Sequence, residues 1–212
     1  MNNLQTLSIF VLAIALFAQT AGAAETKLGV EVTPFGAYRF GGRFDVKESD
    51  EFYELDDSAS FGVILNLPHS INTQYEVFYS QQDTKAVFSG AAANDPAVDL
   101  DMHVLQLGGT YQGEGETIRP YLAATIGGTY VKVRSAGSGS DTFFSGSIGA
   151  GLLFQPYSRL GLRLEARAYG TLTDSKTDLF CQTGPNLSLC AVRIEGNLLS
   201  QIETFAGIVF RF

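Results

Sequence analysis

The chain has 212 residues, with Lys+Arg 14, Asp+Glu 22 and a formal net charge of -8. That balance excludes a nucleic-acid binder, which needs a basic stripe against phosphates. No apolar run approaches the ~20 residues of a membrane-spanning helix, and Gly at 23 with Pro at 6 shows no collagen-like or low-complexity period.

At the N-terminus the apolar run Leu7–Ala18 (LSIFVLAIALFA) leads into Ala21-Gly22-Ala23, with small residues where a signal peptidase requires them. These are the h-region and c-region of a secretory signal, although the preceding MNNLQT carries no Lys or Arg. No Cys follows to take a lipid anchor. The expectation is a signal peptide over residues 1–23 and one mature domain over 24–212.

From there the sequence alternates with period two, which places successive side chains on opposite faces of a strand. Lys27–Phe40 sets Leu28, Val30, Val32, Tyr38 and Phe40 against Glu31, Thr33 and Arg39. Gly41–Asp57 is an acidic connection, with Asp45, Glu48, Asp50, Glu51, Glu54, Asp56 and Asp57 against Arg43 and Lys47. Ser58–Leu67 and Thr73–Gln82 are joined by the short Pro68–Asn72. Asp83–Asp99 reads as a second long loop, adding Asp83, Asp95 and Asp99. Leu105–Gln112 follows, with one anomaly: Met102 and Val104 are apolar on the face that later carries Gln106. A bulge near Val104, or a strand end above a membrane, would account for that. Arg119–Val133, Thr142–Gln155, Leu160–Thr173 and Ile194–Phe212 complete eight strands.

Leu160–Thr173 is the clearest of them. Leu160, Leu162, Leu164, Ala166 and Ala168 alternate with Gly161, Arg163, Glu165, Arg167 and Tyr169. It is long for a soluble sheet, where five or six residues is usual. Short connections (Pro68–Asn72, Gly113–Ile118, Pro156–Arg159) alternate with longer ones (Gly41–Asp57, Asp83–Asp99, Arg134–Asp141, Asp174–Arg193). That is the order of an all-β, eight-stranded antiparallel up-and-down transmembrane β-barrel, whose closure pairs every backbone group. A soluble barrel of lipocalin type, apolar inside, is the alternative weighed against it. Within the last connection lie Cys181 and Cys190, flanking Gly184-Pro185-Asn186. An even pair in an exported chain reads most simply as one disulfide. No His or further Cys lies nearby to make a metal site.

The chain ends Phe-Ala-Gly-Ile-Val-Phe-Arg-Phe. Phe212, Phe210 and Ile208 share a face behind Gly207, which resembles the assembly signal of bacterial outer-membrane barrels; Phe205 departs from it, standing where a polar residue is usual. The segments Leu105–Gln112 (LQLGGTYQ) and Arg119–Gly128 (RPYLAATIGG) look like a generic outer-membrane β-barrel domain. Together these features resemble the small barrel families of outer-membrane protein X, the opacity proteins, the outer-membrane protein A transmembrane domain and outer-membrane protein W. The resemblance implies a bacterial outer-membrane location, with outer-membrane lipids, lipopolysaccharide and the barrel assembly machinery as partners. It also implies host or surface ligands as partners of the loops.

With polar faces inward, the lumen collects Glu31, Glu76, Glu165 and Glu203 with Arg39, Arg163, Arg167 and Arg211. An eight-stranded barrel is only wide enough for side chains, so these charges should pair and fill it. Glu31 and Arg211, at the same end of the first and last strands, should pair with each other. The polar inward faces leave the hydrophobic lumen of the outer-membrane protein W type unsupported. A narrow channel for small or hydrophobic solutes is the alternative use. No cofactor and no metal site is indicated, and divalent cations on the acidic loops lack any strict ligand spacing. Asp101 and His103, two residues apart, are the one pair resembling the omptin proteases, with Asp56 and Asp57 as candidate opposing carboxylates. A His base oriented by Asp is sound chemistry, yet the pair is more simply a two-residue coincidence of ordinary residues on an exposed strand end. Ser135, Ser138 and Ser140 have nothing to fix them near it, so no catalytic constellation is expected.

Overall fold

A computed structural model describes residues 29–45, 52–89, 98–134, 139–173, 181–184, 187–190 and 198–212. The proposed signal peptide lies outside the described residues, as do Glu48, Asp50, Glu51, Asp95, Ser135 and Ser138. The elements in chain order are β1 (Glu31–Phe40), β2 (Arg43–Asp45), β3 (Phe52–Leu55), β4 (Ser58–Pro68), β5 (Thr73–Ser89) and β6 (Val98–Gln112). Then come β7 (Ile118–Val133), β8 (Ser140–Phe154), β9 (Leu160–Leu172), β10 (Cys181–Gly184), β11 (Leu187–Cys190) and β12 (Leu198–Arg211).

The long strands close on themselves. The order runs β5-β4-β1-β12-β9-β8-β7-β6, and β6 pairs back to β5. Every pairing is antiparallel, which makes a closed eight-stranded barrel. Closure joins the first and last strands, with Glu31 opposite Arg211. Short turns gather at one rim, here the lower one; the long connections gather at the upper rim. There β3 adds to the end of β5, pairing Leu55 with Ala86, and β2 adds to β3. β10 and β11 form a two-stranded hairpin of their own.

Three expectations need correction. Most of the supposed loop Asp83–Asp99 is strand, because β5 continues to Ser89 and β6 begins at Val98. No bulge interrupts β6 at Val104: its residues pair one-to-one with β5 and β7 through that point. Instead the two faces of the wall exchange character. Lower on β6, Gln106, Thr110 and Gln112 point inward and Leu105, Leu107 and Tyr111 outward. Higher up, Leu100, Met102 and Val104 point inward, while His103, Asp101 and Asp99 point outward. β7 changes at the same place, from Thr125 and Thr129 inside to Val131 and Val133 inside, with Lys132 outside.

The interior therefore has an apolar upper tier. Leu55, Ala86, Leu100, Met102, Val131, Val133, Phe143 and Leu199 pack there as one buried cluster. Gly42, at a φ of 124°, lies where a Cβ would strike Leu55 and Leu199, so only glycine fits this close approach. The expectation that the lumen is polar throughout is corrected: a second cluster of Phe35, Ile64, Phe78, Val104, Tyr169 and Phe205 lines its middle.

Candidate functional site

The charged residues sit in this interior because their strands alternate, and β9 contributes three of them in succession. Arg163, Glu165 and Arg167 project inward between the exposed Leu162, Leu164, Ala166 and Ala168. Glu76 reaches across from β5 to both arginines: Arg163 Nη2 donates to Oε2 at 2.8 Å and Arg167 Nη2 to Oε1 at 2.7 Å. Glu165 closes the square, accepting from Arg163 Nη2 at 2.7 Å and Arg167 Nε at 2.6 Å. Tyr121 donates to Glu165 at 2.6 Å, and Asn66 accepts from Arg163 at 2.9 Å. Across from this strand, Gly149 and Gly151 of β8 supply the space; a Cβ at Gly149 would fall on the Glu165 carboxylate.

A second pair lies in the same tier. Arg39 Nη2 donates to Glu203 Oε1 at 2.9 Å and to Ser80 at 2.9 Å, and Glu203 also accepts from Ser60 and Tyr169. At the lower rim Glu31 accepts from Arg211 Nε at 2.9 Å, and Arg211 Nη2 donates to Gln155 at 2.7 Å. All eight charged residues read from the sequence as a lumen group thus lie in ion pairs, sorted into three clusters. The aromatic residues among them serve as cation platforms: Arg167 lies 4.1 Å from the Phe78 ring centre, Arg163 4.5 Å from Tyr121 and Arg39 4.6 Å from Tyr169. Phe205 is inward too, 4.5 Å from the Phe35 ring. That explains its departure from a polar residue: its position is lumenal, but this lumen is partly aromatic. Gly207 leaves room for Phe35, whereas Ile208, Phe210 and Phe212 point outward.

Sequence reasoning passed over Asn66, Ser60, Ser80, Tyr121 and Tyr169 as partners. The signal was available, since each is a polar-capable residue in the inward phase of its strand. A knot of Gln106, Thr125 and Ser147 was likewise hidden; Gln106 Oε1 accepts from both hydroxyls at 2.8 and 2.7 Å.

The upper rim holds the other chemistry-bearing residues. Asp101 and His103 both face outward from the wall. Arg134 holds Asp101, with Nε 2.9 Å from Oδ2, and ion-pairs with Asp83 at 2.9 Å. Hydrogen bonding from Arg134 keeps the Asp101 carboxyl at about 2, below the usual carboxylate range. His103 Nδ1 lies 3.0 Å from the Tyr79 hydroxyl, and its ring packs near Tyr79 and Tyr130. Asp57 is occupied elsewhere, accepting from the Gly41 amide at 2.9 Å. Asp101 is thus bound to an arginine rather than orienting His103, and the geometry lends the hydrolase alternative no support. Among the described residues no group of three or more acidic, His or Cys side chains could hold a metal. Cys181 stands directly opposite Cys190 in the β10–β11 register, while their side chains lie outside the description.

Comparison with known proteins bears on this geometry. A family model described as "Outer membrane protein beta-barrel domain" matches residues 9–186. None of the curated proteins matches the sequence. Among solved structures, Neisserial surface protein A is similar at a TM-score of 0.58 and 14% identity, over 87% of this chain and 97% of that one. The outer membrane protein OprG of Pseudomonas aeruginosa is similar at 0.53 and 11% identity, over 87% of this chain and 96% of that one. At such identities the likeness is one of fold.

Proposed function

The chain belongs to the outer membrane protein β-barrel domain family and is a bacterial outer-membrane protein, and from that premise we propose that it is a closed, non-conducting barrel whose extracellular loops serve envelope integrity or surface contacts. The observation that carries this reading is the filled interior. An ion would have to separate the square of Glu76, Arg163, Glu165 and Arg167, and stripping one partner from a buried pair costs about 3–5 kcal/mol. It would then have to wet the apolar tier above, a barrier of the kind that closes channels by dewetting. The barrel wall then serves as a rigid mount for the long connections. The test is conductance of the purified protein in planar bilayers. Absence of porin-sized steps is expected, and such steps would overturn the reading.

The apolar upper tier favours one second reading, a narrow path for hydrophobic solutes with Leu55 as its stopper. Flux of a hydrophobic dye into liposomes distinguishes the two. A rate above empty liposomes, raised further by Leu55→Ala, would support the path.

A further inference from the structure

We propose that the outward face of β5, β6 and β7, around His103 and Lys132, binds the phosphate of an outer-leaflet lipid headgroup. The argument starts from the exchange of faces. A sheet wall that is apolar outside and polar inside suits lipid around it; one that is charged outside and apolar inside suits water. On β6 the change falls between Leu105 and Asp101. On β7 it falls between Ile126 and Lys132; on β5 only the outward face changes, between Val77 and Asp83, while Ser80, Gln82 and Thr84 inside stay polar. The residues at the change are Tyr79, His103 and Tyr130, the His103 ring lying between the two tyrosines, all of the amphipathic type that occupies the headgroup layer. The outer surface of the bilayer crosses the barrel here, and the strand ends above it stand in water with a hydrophobic core of their own.

Among the described residues two donors are left over at that level. The rim carries Lys85, Lys132 and Arg134 with Asp83, Asp99 and Asp101. Lys85 lies 3.9 Å from Asp99, and Arg134 holds both Asp83 and Asp101. Lys132 is exposed and forms no ion pair among the described residues, although its backbone partner across the ladder is Asp101. The bidentate grip of Arg134 neutralises that carboxylate and lowers its repulsion of an anion. His103 has Nδ1 engaged by Tyr79, which leaves Nε2 as the second donor. A phosphate between Lys132 Nζ and His103 Nε2 would have its acyl chains running down the apolar face of Leu105, Leu107 and Ile126, which are exposed directly below. This continuity of headgroup and chain surfaces points to a lipid phosphate rather than a free ion.

The test uses the refolded full barrel in phosphatidylcholine vesicles at low ionic strength, where surface charge is least screened. Spin-labelled phosphatidic acid and phosphatidylcholine compete for the barrel surface. The wild type is expected to select phosphatidic acid. A Lys near the surface contributes enough that Lys132→Gln should cut this selectivity roughly five-fold, with Lys132→Arg restoring it. His103→Phe should weaken it as well, and Lys85→Gln, at an ion-paired lysine of the same rim, should leave it unchanged. No selectivity in the wild type, or equal loss in the Lys85 and Lys132 variants, would overturn the proposal. Inorganic phosphate titrated against the protein in zwitterionic micelles should not shift the His103 ring resonances. A saturable shift abolished by Lys132→Gln would mean a free-anion site and overturn the assignment to lipid. Each variant is checked for the heat-modifiable gel shift of a folded barrel, so that loss of selectivity is read only on folded protein.

Discussion

Glu76 is the residue on which the middle of the lumen depends. One carboxylate oxygen serves each of two arginines, which rise from the same strand with Glu165 between them on its inward face. Replacing it with the isosteric Gln removes the charge and turns an N–H₂ group toward one guanidinium. Glu76→Gln should therefore destabilise the folded barrel by about 3–5 kcal/mol, as measured by urea unfolding in detergent micelles. Asp101, above the boundary proposed at His103, offers a milder test. Its carboxyl is held down to about 2 by Arg134, against about 3.9 for a free side chain. A depressed pKa means that the clamp contributes its full stability above about pH 4 and loses it as pH falls toward 2. Carbon NMR titration should find the Asp101 midpoint near the lower value, and Arg134→Ala should raise it toward the free one.

Among the strands, β9 sets outside against inside most sharply. Leu164 is exposed midway along it and Arg163 beside it is buried. Leu164→Arg places a charge in hydrocarbon near the midplane and should cost about 2–4 kcal/mol in liposome refolding titrations. An innocuous Leu164→Arg would reverse the assignment of faces. Strands β6 and β7 show why facing cannot be carried unchanged to their ends. Above His103 and Tyr130 the same alternation persists with its meaning inverted, as the proposed change of medium from lipid to water requires. This is why Asp83–Asp99 resembles a loop in composition yet is largely strand: Thr84 and Ala86 face inward and Lys85 outward, with few bulky residues to announce the period.

For the molecule as a whole, the barrel and the β10–β11 hairpin are separate sheets. Cys181 opposite Cys190 in register is compatible with a cross-strand bridge, and closing so short a loop is worth about 2–3 kcal/mol in chain-entropy models. Such a bridge would act on the hairpin alone, since β9 and β12 are already paired along Leu160–Leu172. Reductant on intact cells should expose new protease sites between residues 174 and 193 while the heat-modifiable shift persists. Loss of the shift would make the bridge part of the barrel.

The strand count, the closure of first strand on last and the eight lumenal charges were legible from sequence, because side-chain alternation is a local property of extended backbone. Glu31 with Arg211 was legible for the same reason, since closure alone makes their strands neighbours. The partners of Glu76 were not. Which strands face each other across the lumen at a given height depends on strand tilt and stagger, and no stretch of sequence contains that. Height also decided the upper tier: Met102 and Val104 look like a fault in the pattern until the fold seats Met102 in the upper apolar cluster and Val104 in the aromatic cluster below it. With charge outside and apolar side chains inside, the upper wall on β6 and β7 is what water favours beyond the boundary proposed at His103.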